Sequence, residues 1–170
     1  MRHTRFISSI LIVAAFAGVI AGCNKTSGET TVNTAASAAA TSGYTSVRNP
    51  DGTLPNKGKI GDIEYQITEQ NECQYMKKRG YFIDTLDQPN SPYFIFICSG
   101  EKSTGGYDVR VVDIATDASG KWLITVEETS PAADAMVTEA FTYPCCVIEV
   151  NKVPDEIQIV STTGAEFDYV

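Results

Sequence analysis

Apolar residues alternate most densely over residues 93–114. Tyr93, Ile95 and Ile97 alternate with Phe94, Phe96 and Cys98. Nearly all six are apolar, which predicts a strand with protein on both faces. Ser99-Gly100-Glu101-Lys102-Ser103-Thr104-Gly105-Gly106 is too rich in Gly and Ser to continue it. Tyr107, Val109 and Val111 then fall on one side, with Asp108 and Arg110 on the other. The expectation is a β-hairpin pivoting on Gly105-Gly106.

Upstream, Ile63, Tyr65 and Ile67 alternate with Glu64 and Gln66, a half-buried strand. Residues 68–79 predict a helix. Thr68 would cap it, Glu72 would sit in its first turn, and Lys77, Lys78 and Arg79 would suit its C-terminal end. Gly80 fits the position just past that end. Tyr81-Phe82-Ile83 begins another strand, and residues 87–92 loop back into Tyr93. Downstream, residues 116–121 form a turn, and Trp122, Ile124 and Val126 alternate with Leu123, Thr125 and Glu127. Residues 128–136 are a loop containing Pro131. Residues 141–150 predict a strand in which Pro144 marks an edge position or a bulge. Ile157 and Ile159 make a last short strand. The fold class expected is α+β or mainly β: a small antiparallel sheet or sandwich with one helix.

The beginning of the chain follows a different pattern. Arg2 and Arg5 precede an apolar run over residues 6–20 that is short for a membrane span. It ends Ile20-Ala21-Gly22-Cys23, which resembles a bacterial lipobox. That resemblance implies a signal peptide over residues 1–22, diacylation at Cys23 and a chain held on the extracytoplasmic side of a bacterial cell membrane. Residues 23–59 are dominated by Thr, Ser, Ala and Gly and predict a disordered tether. Its random-coil reach is roughly 30–36 Å. Residues 60–170 are the expected globular domain.

Charge and composition narrow the chemistry. Removal of Arg2 and Arg5 takes two of 13 cations from a chain with 21 acids, leaving a net charge of about −10. Nucleic acid is therefore a poor partner, because phosphate neutralisation needs clustered Lys and Arg. The single His is His3, which leaves with the leader. The mature chain has no imidazole for Ser-His-Asp, Cys-His or ordinary His-built zinc chemistry. No cofactor or metal is expected.

The run Ser99-Gly100-Glu101-Lys102-Ser103-Thr104-Gly105-Gly106-Tyr107-Asp108-Val109 resembles the G-E-K-x-T-G-G-Y-x-[IV] signature of the PrcB C-terminal domain family. Val126-Glu127-Glu128-Thr129-Ser130-Pro131 and Thr142-Tyr143-Pro144-Cys145-Cys146 resemble the family's downstream half. The likeness covers about residues 93–160. It implies a small β-rich domain on secreted or lipid-anchored bacterial proteins, related to a lipoprotein subunit that supports a surface protease complex. It therefore implies accessory binding rather than catalysis. The adjacent Cys145 and Cys146 depart from the family's general pattern.

Four sets of residues are site candidates. Glu101, Lys102, Thr104, Gly105, Gly106 and Tyr107 form a possible binding loop, since loops on rigid scaffolds often carry recognition. Alternatively the two glycines only make the turn and Tyr107 packs inward. Cys73, Cys98, Cys145 and Cys146 are an even set for an oxidising compartment, with three connectivities open. Cys145 and Cys146 should point to opposite faces of a strand, one toward Cys98 and the other toward Cys73. Paired C-x-x-C spacing for zinc or redox work is lacking. Asp113, Glu127, Glu128, Glu139 and Glu149 include no pair selected for acid–base work. Aromatics such as Tyr65, Tyr75, Tyr81, Phe94, Phe96, Trp122, Phe141 and Tyr143 fit a core better than a sugar platform. The expected function is a non-catalytic, lipid-anchored binding module for a protein partner, a surface protease among the options. The other reading is a protease inhibitor inserting residues 99–107 into an active-site cleft.

Overall fold

The structure is a computed structural model and describes residues 43–68, 73, 76–86, 88 and 90–170. The leader, Cys23 and the first part of the tether lie outside the described residues. Among the described residues the chain forms nine strands and no helix. They are β1 (Thr45–Ser46), β2 (Lys57–Ile60), β3 (Ile63–Thr68), β4 (Gly80–Thr85), β5 (Tyr93–Cys98), β6 (Asp108–Thr116), β7 (Trp122–Thr129), β8 (Cys145–Val150) and β9 (Ile157–Ser161). One sheet has the order β1-β6-β7-β9 and the other β2-β3-β8-β5-β4. All pairings are antiparallel except β7 with β9.

The apolar alternation places the core between the sheets. Ile95, Ile97, Cys146, Ile148 and Val150 are buried on one sheet, and Ile114, Trp122, Ile124, Val126 and Ile159 on the other. Each fully buried aliphatic side chain contributes about 1.5–3 kcal/mol. Tyr65 meets Trp122 edge-on, with ring centroids 6.2 Å apart. In β6 an extra residue, Val112, breaks the register between Val111 and Asp113. This bulge puts Val109 on one phase of the strand and Ile114 on the other, and both are buried.

Several expectations need correction. β5 and β6 are not a hairpin: β5 pairs with β4 and β8, and β6 pairs with β1 and β7. Residues 99–107 instead carry the chain from one sheet to the other. Both strands are apolar enough to seek neighbours, and periodicity does not say which neighbour. The helix over 68–79 is not found. Thr68 ends β3, Gly80 opens β4, and most of the positions between lie outside the described residues. Ordered structure begins before residue 60, because β2 pairs along its whole length with β3, and β1 pairs with β6. Pro144 is at neither an edge nor a bulge; it directly precedes β8, a strand with neighbours on both sides. With no N–H to donate, it lies where the ladder has only begun.

Candidate functional site

The two halves of the sequence signature meet in space. Residues 99–107 lie along residues 131–144 and are bonded to them at intervals. Ser99 N–H donates to Pro144 O at 2.9 Å. Lys102 and Thr142 exchange backbone hydrogen bonds of 2.9 and 3.0 Å. The Thr142 hydroxyl donates to Thr104 O at 2.8 Å, and Gly105 N–H to Thr138 O at 2.9 Å. The Tyr143 hydroxyl donates to Glu101 at 2.8 Å, and this carboxylate pushes the tyrosine pKa up.

The two glycines of this loop have different roles. Gly106 has φ +85°, and a Cβ there would lie 2.9 Å from Pro131 and 3.1 Å from Val137. Only glycine fits both the backbone and the space. A Cβ on Gly105 would meet Thr138 at ordinary contact distances of 3.6–3.8 Å. Tyr107 is half-buried, with the Lys102 ammonium 5.5 Å from its ring centroid. Glu101 is exposed, while Lys102 and Thr104 are half-buried. The six loop residues are thus together, and backbone bonds to residues 138–142 hold their strand of the loop pair. The 131–143 segment presents its own large apolar groups: Met136 is 103% and Phe141 67% exposed.

A charged clasp supports the same end of the sandwich. Glu128 follows Trp122, Ile124 and Val126 on the inward side of β7. It accepts from the Ser99 hydroxyl at 2.7 Å and from Arg79 Nη2 at 2.9 Å. The Arg79 guanidinium also lies 3.6 Å from the centroid of the Phe167 ring and donates to Glu166 O. Burial resists ionisation of Glu128. The hydrogen bonds from Arg79 and Ser99, with the Arg79 charge, outweigh it and hold the carboxyl below its ordinary range. Arg79 was assigned to a helix end by the sequence pattern, and its role here is invisible to periodicity. Glu128, read from the sequence as the start of a loop, instead continues the inward phase of β7, which runs on to Thr129.

The other carboxylates do not assemble into one site. Asp113 is 3.4 Å from Arg48, and Glu127 accepts from Arg110 Nε at 2.7 Å. Glu139 is exposed on the 131–143 segment, and Glu149 lies on the outer face of β8. Of the aromatics, Tyr65 and Trp122 are buried, Tyr81, Phe94, Phe96 and Tyr143 are half-buried, and Phe141 is outside the core; Tyr75 lies outside the described residues.

The cysteines form one bridge, Cys73–Cys145, with Cα atoms 5.8 Å apart. Cys98 and Cys146 are buried free thiols. A second bridge between them is prevented by the pleat. Cys98 is opposite Cys145 and Cys146 is opposite Ile97, so Cys98 and Cys146 face opposite sides of the sheet. Burial raises both thiol pKa values, that of Cys98 to about 12.

Neither the comparison with curated proteins nor that with solved structures gave a match. Residues 93–151, from β5 to β8 with both halves of the loop pair between them, match the family model described as PrcB C-terminal, the family whose signature the sequence resembles.

Proposed function

We propose that the chain is a non-catalytic binding module, tethered outside the cytoplasm through lipid on Cys23, that serves as an accessory subunit of a protease complex. The family match over residues 93–151 supports the association with such a complex. The observation that carries docking is the pair Met136 and Phe141, exposed on a segment whose backbone is bonded to the 99–107 loop. A backbone already held by hydrogen bonds adds less ordering cost when its anchors bind. β6 also offers an edge: β7 pairs with one side of it, while on the other side β1 covers only its Ala115 and Thr116 end, and among the described residues no strand pairs with Asp108 to Val111 there. A partner strand can add there by backbone hydrogen bonding. A loop bonded along one side to residues 138–144 has less freedom to enter a cleft, which favours docking over insertion as an inhibitor.

The test is cross-linking and co-purification from membranes, comparing wild type with Met136→Asp/Phe141→Asp at matched thermal stability. Loss of a protease-containing complex with the double variant is the expected result. Its unchanged recovery overturns the docking face. Cys23→Ser should move the protein from the membrane to the soluble fraction; retention in the membrane overturns the lipid anchor. Inhibition of purified proteases by the wild-type domain would replace the accessory reading with the inhibitor reading.

A further inference from the structure

Cys73, Cys98 and Cys145 make up a buried sulfur trio on the outer face of the five-stranded sheet. Their three Sγ atoms all lie within 4.8 Å of one another. Met76, Phe82 and Phe96 pack around them. We propose that Cys145 is shared between two disulfides, the observed Cys73–Cys145 bridge and a cross-strand Cys98–Cys145 bridge, which interconvert by thiol–disulfide exchange within the protein.

The register supports the second bond. Cys98 and Cys145 are direct partners across β5 and β8. One step further, Ser99 N–H donates to Pro144 O, so that pair occupies a hydrogen-bonded position. The alternation of an antiparallel ladder then makes Cys98 and Cys145 a non-hydrogen-bonded pair, where Cα atoms are about 4.5 Å apart and side chains are close. That spacing is within the range a disulfide spans. Cys146 cannot compete, because it faces the core on the other side of the sheet.

The exchange balances internally. The Cys98 thiolate attacks Cys145 Sγ and forms the new S–S bond. The Cys73–Cys145 bond breaks and its electron pair leaves on Cys73 Sγ. The proton given up by Cys98 ends on Cys73. One thiol and one disulfide enter, and one thiol and one disulfide leave, so no oxidant or reductant is consumed. Loop closure hardly biases the outcome, because its entropy depends on the logarithm of loop length. Burial of Cys98 makes the thiolate scarce at neutral pH, so exchange is slow there and speeds up about tenfold per pH unit while that thiol remains mostly protonated. The released thiol lies close to the loop pair: Cys73 N–H donates to Tyr143 O at 2.8 Å.

Peptide mapping tests this on the full oxidised chain. Samples held at pH 7, 8 and 9 are acidified, labelled with N-ethylmaleimide in denaturant without reductant, digested and read by mass spectrometry. The expected result is a Cys98–Cys145 peptide, with a matching label on Cys73, appearing about tenfold faster per pH unit. Cys98→Ser should give only the Cys73–Cys145 peptide. Cys73→Ser treated with oxidised glutathione should close Cys98–Cys145 and lose both labels. Only Cys73–Cys145 in wild type at every pH overturns the proposal, as do linked peptides containing Cys146, which would mean general scrambling. The wild-type series decides the matter even if Cys73→Ser fails to fold.

Discussion

Gly105 and Gly106 are neighbours with the same chemistry and different constraints. Alanine at Gly106 must adopt a left-handed φ and press its Cβ against Pro131. Gly106→Ala should cost about 1–3 kcal/mol. Gly105→Ala meets only ordinary contacts and should change stability by less than about 1 kcal/mol. Urea unfolding of the two variants checks the difference, and equal costs would mean that the loop yields at both positions. Glu128 gives a pH signature. Its folded pKa lies below the ordinary 4.5, so its contribution is complete above about pH 4.5 and is lost as pH falls through the folded value. The stability gap between wild type and Glu128→Gln should therefore narrow between pH 7 and pH 3, measured by urea midpoints. A constant gap would mean that ionisation of Glu128 contributes nothing. At this scale the sequence was partly legible. The sequence pattern ended the strand at Glu127 and left Glu128 in a loop, and its partners Arg79 and Ser99 are 49 and 29 residues away. Spacing along the chain carries no information about such contacts.

Strands were legible as elements and much less so as pairings. The alternations at Ile63, Tyr81, Tyr93, Val109, Trp122 and Ile157 all became strands, because each gives one face to the core. The hairpin over 93–114 failed because adjacency in sequence was taken for adjacency in a sheet. Two apolar faces on β5 instead place it between β4 and β8. The Gly-rich loop was correctly located, whereas its contact with residues 131–144 was not foreseen, although resemblance linked Pro131 and Thr142-Tyr143-Pro144 to the same signature. The disulfide ties the Cys73 region to the start of β8, closing a sequence separation of 72 residues. Selective reduction of that bridge should lower stability by about 2–4 kcal/mol. Calorimetry of the oxidised and reduced chains reads this directly, and equal melting temperatures would show that the cover holds without the bond.

At the scale of the whole molecule, the first strands belong to the fold even though their composition reads as linker. Val47 and Ile60 pack against the core, and Gly58 lets the Tyr65 ring lie against β2, where a Cβ would come within 2.6 Å. A chain beginning at Gly43 should therefore unfold with the same urea midpoint as the longer protein, whereas one beginning at Gly61 should be clearly destabilised. Equal midpoints for all three would return residues 43–60 to the tether. The short strands were hidden because Thr, Lys and Gly residues can pair through their backbones without leaving a hydrophobic period. The strand order also constrains how the sheet can close. β8 lies between β3 and β5, yet it follows β6 and β7 in the chain. Until β8 docks, the five-stranded sheet has a vacant slot at its centre, flanked by β3 and β5, each open to pairing with the wrong strand. The form without β8 in place is therefore the one most exposed to aggregation, wherever the chain folds.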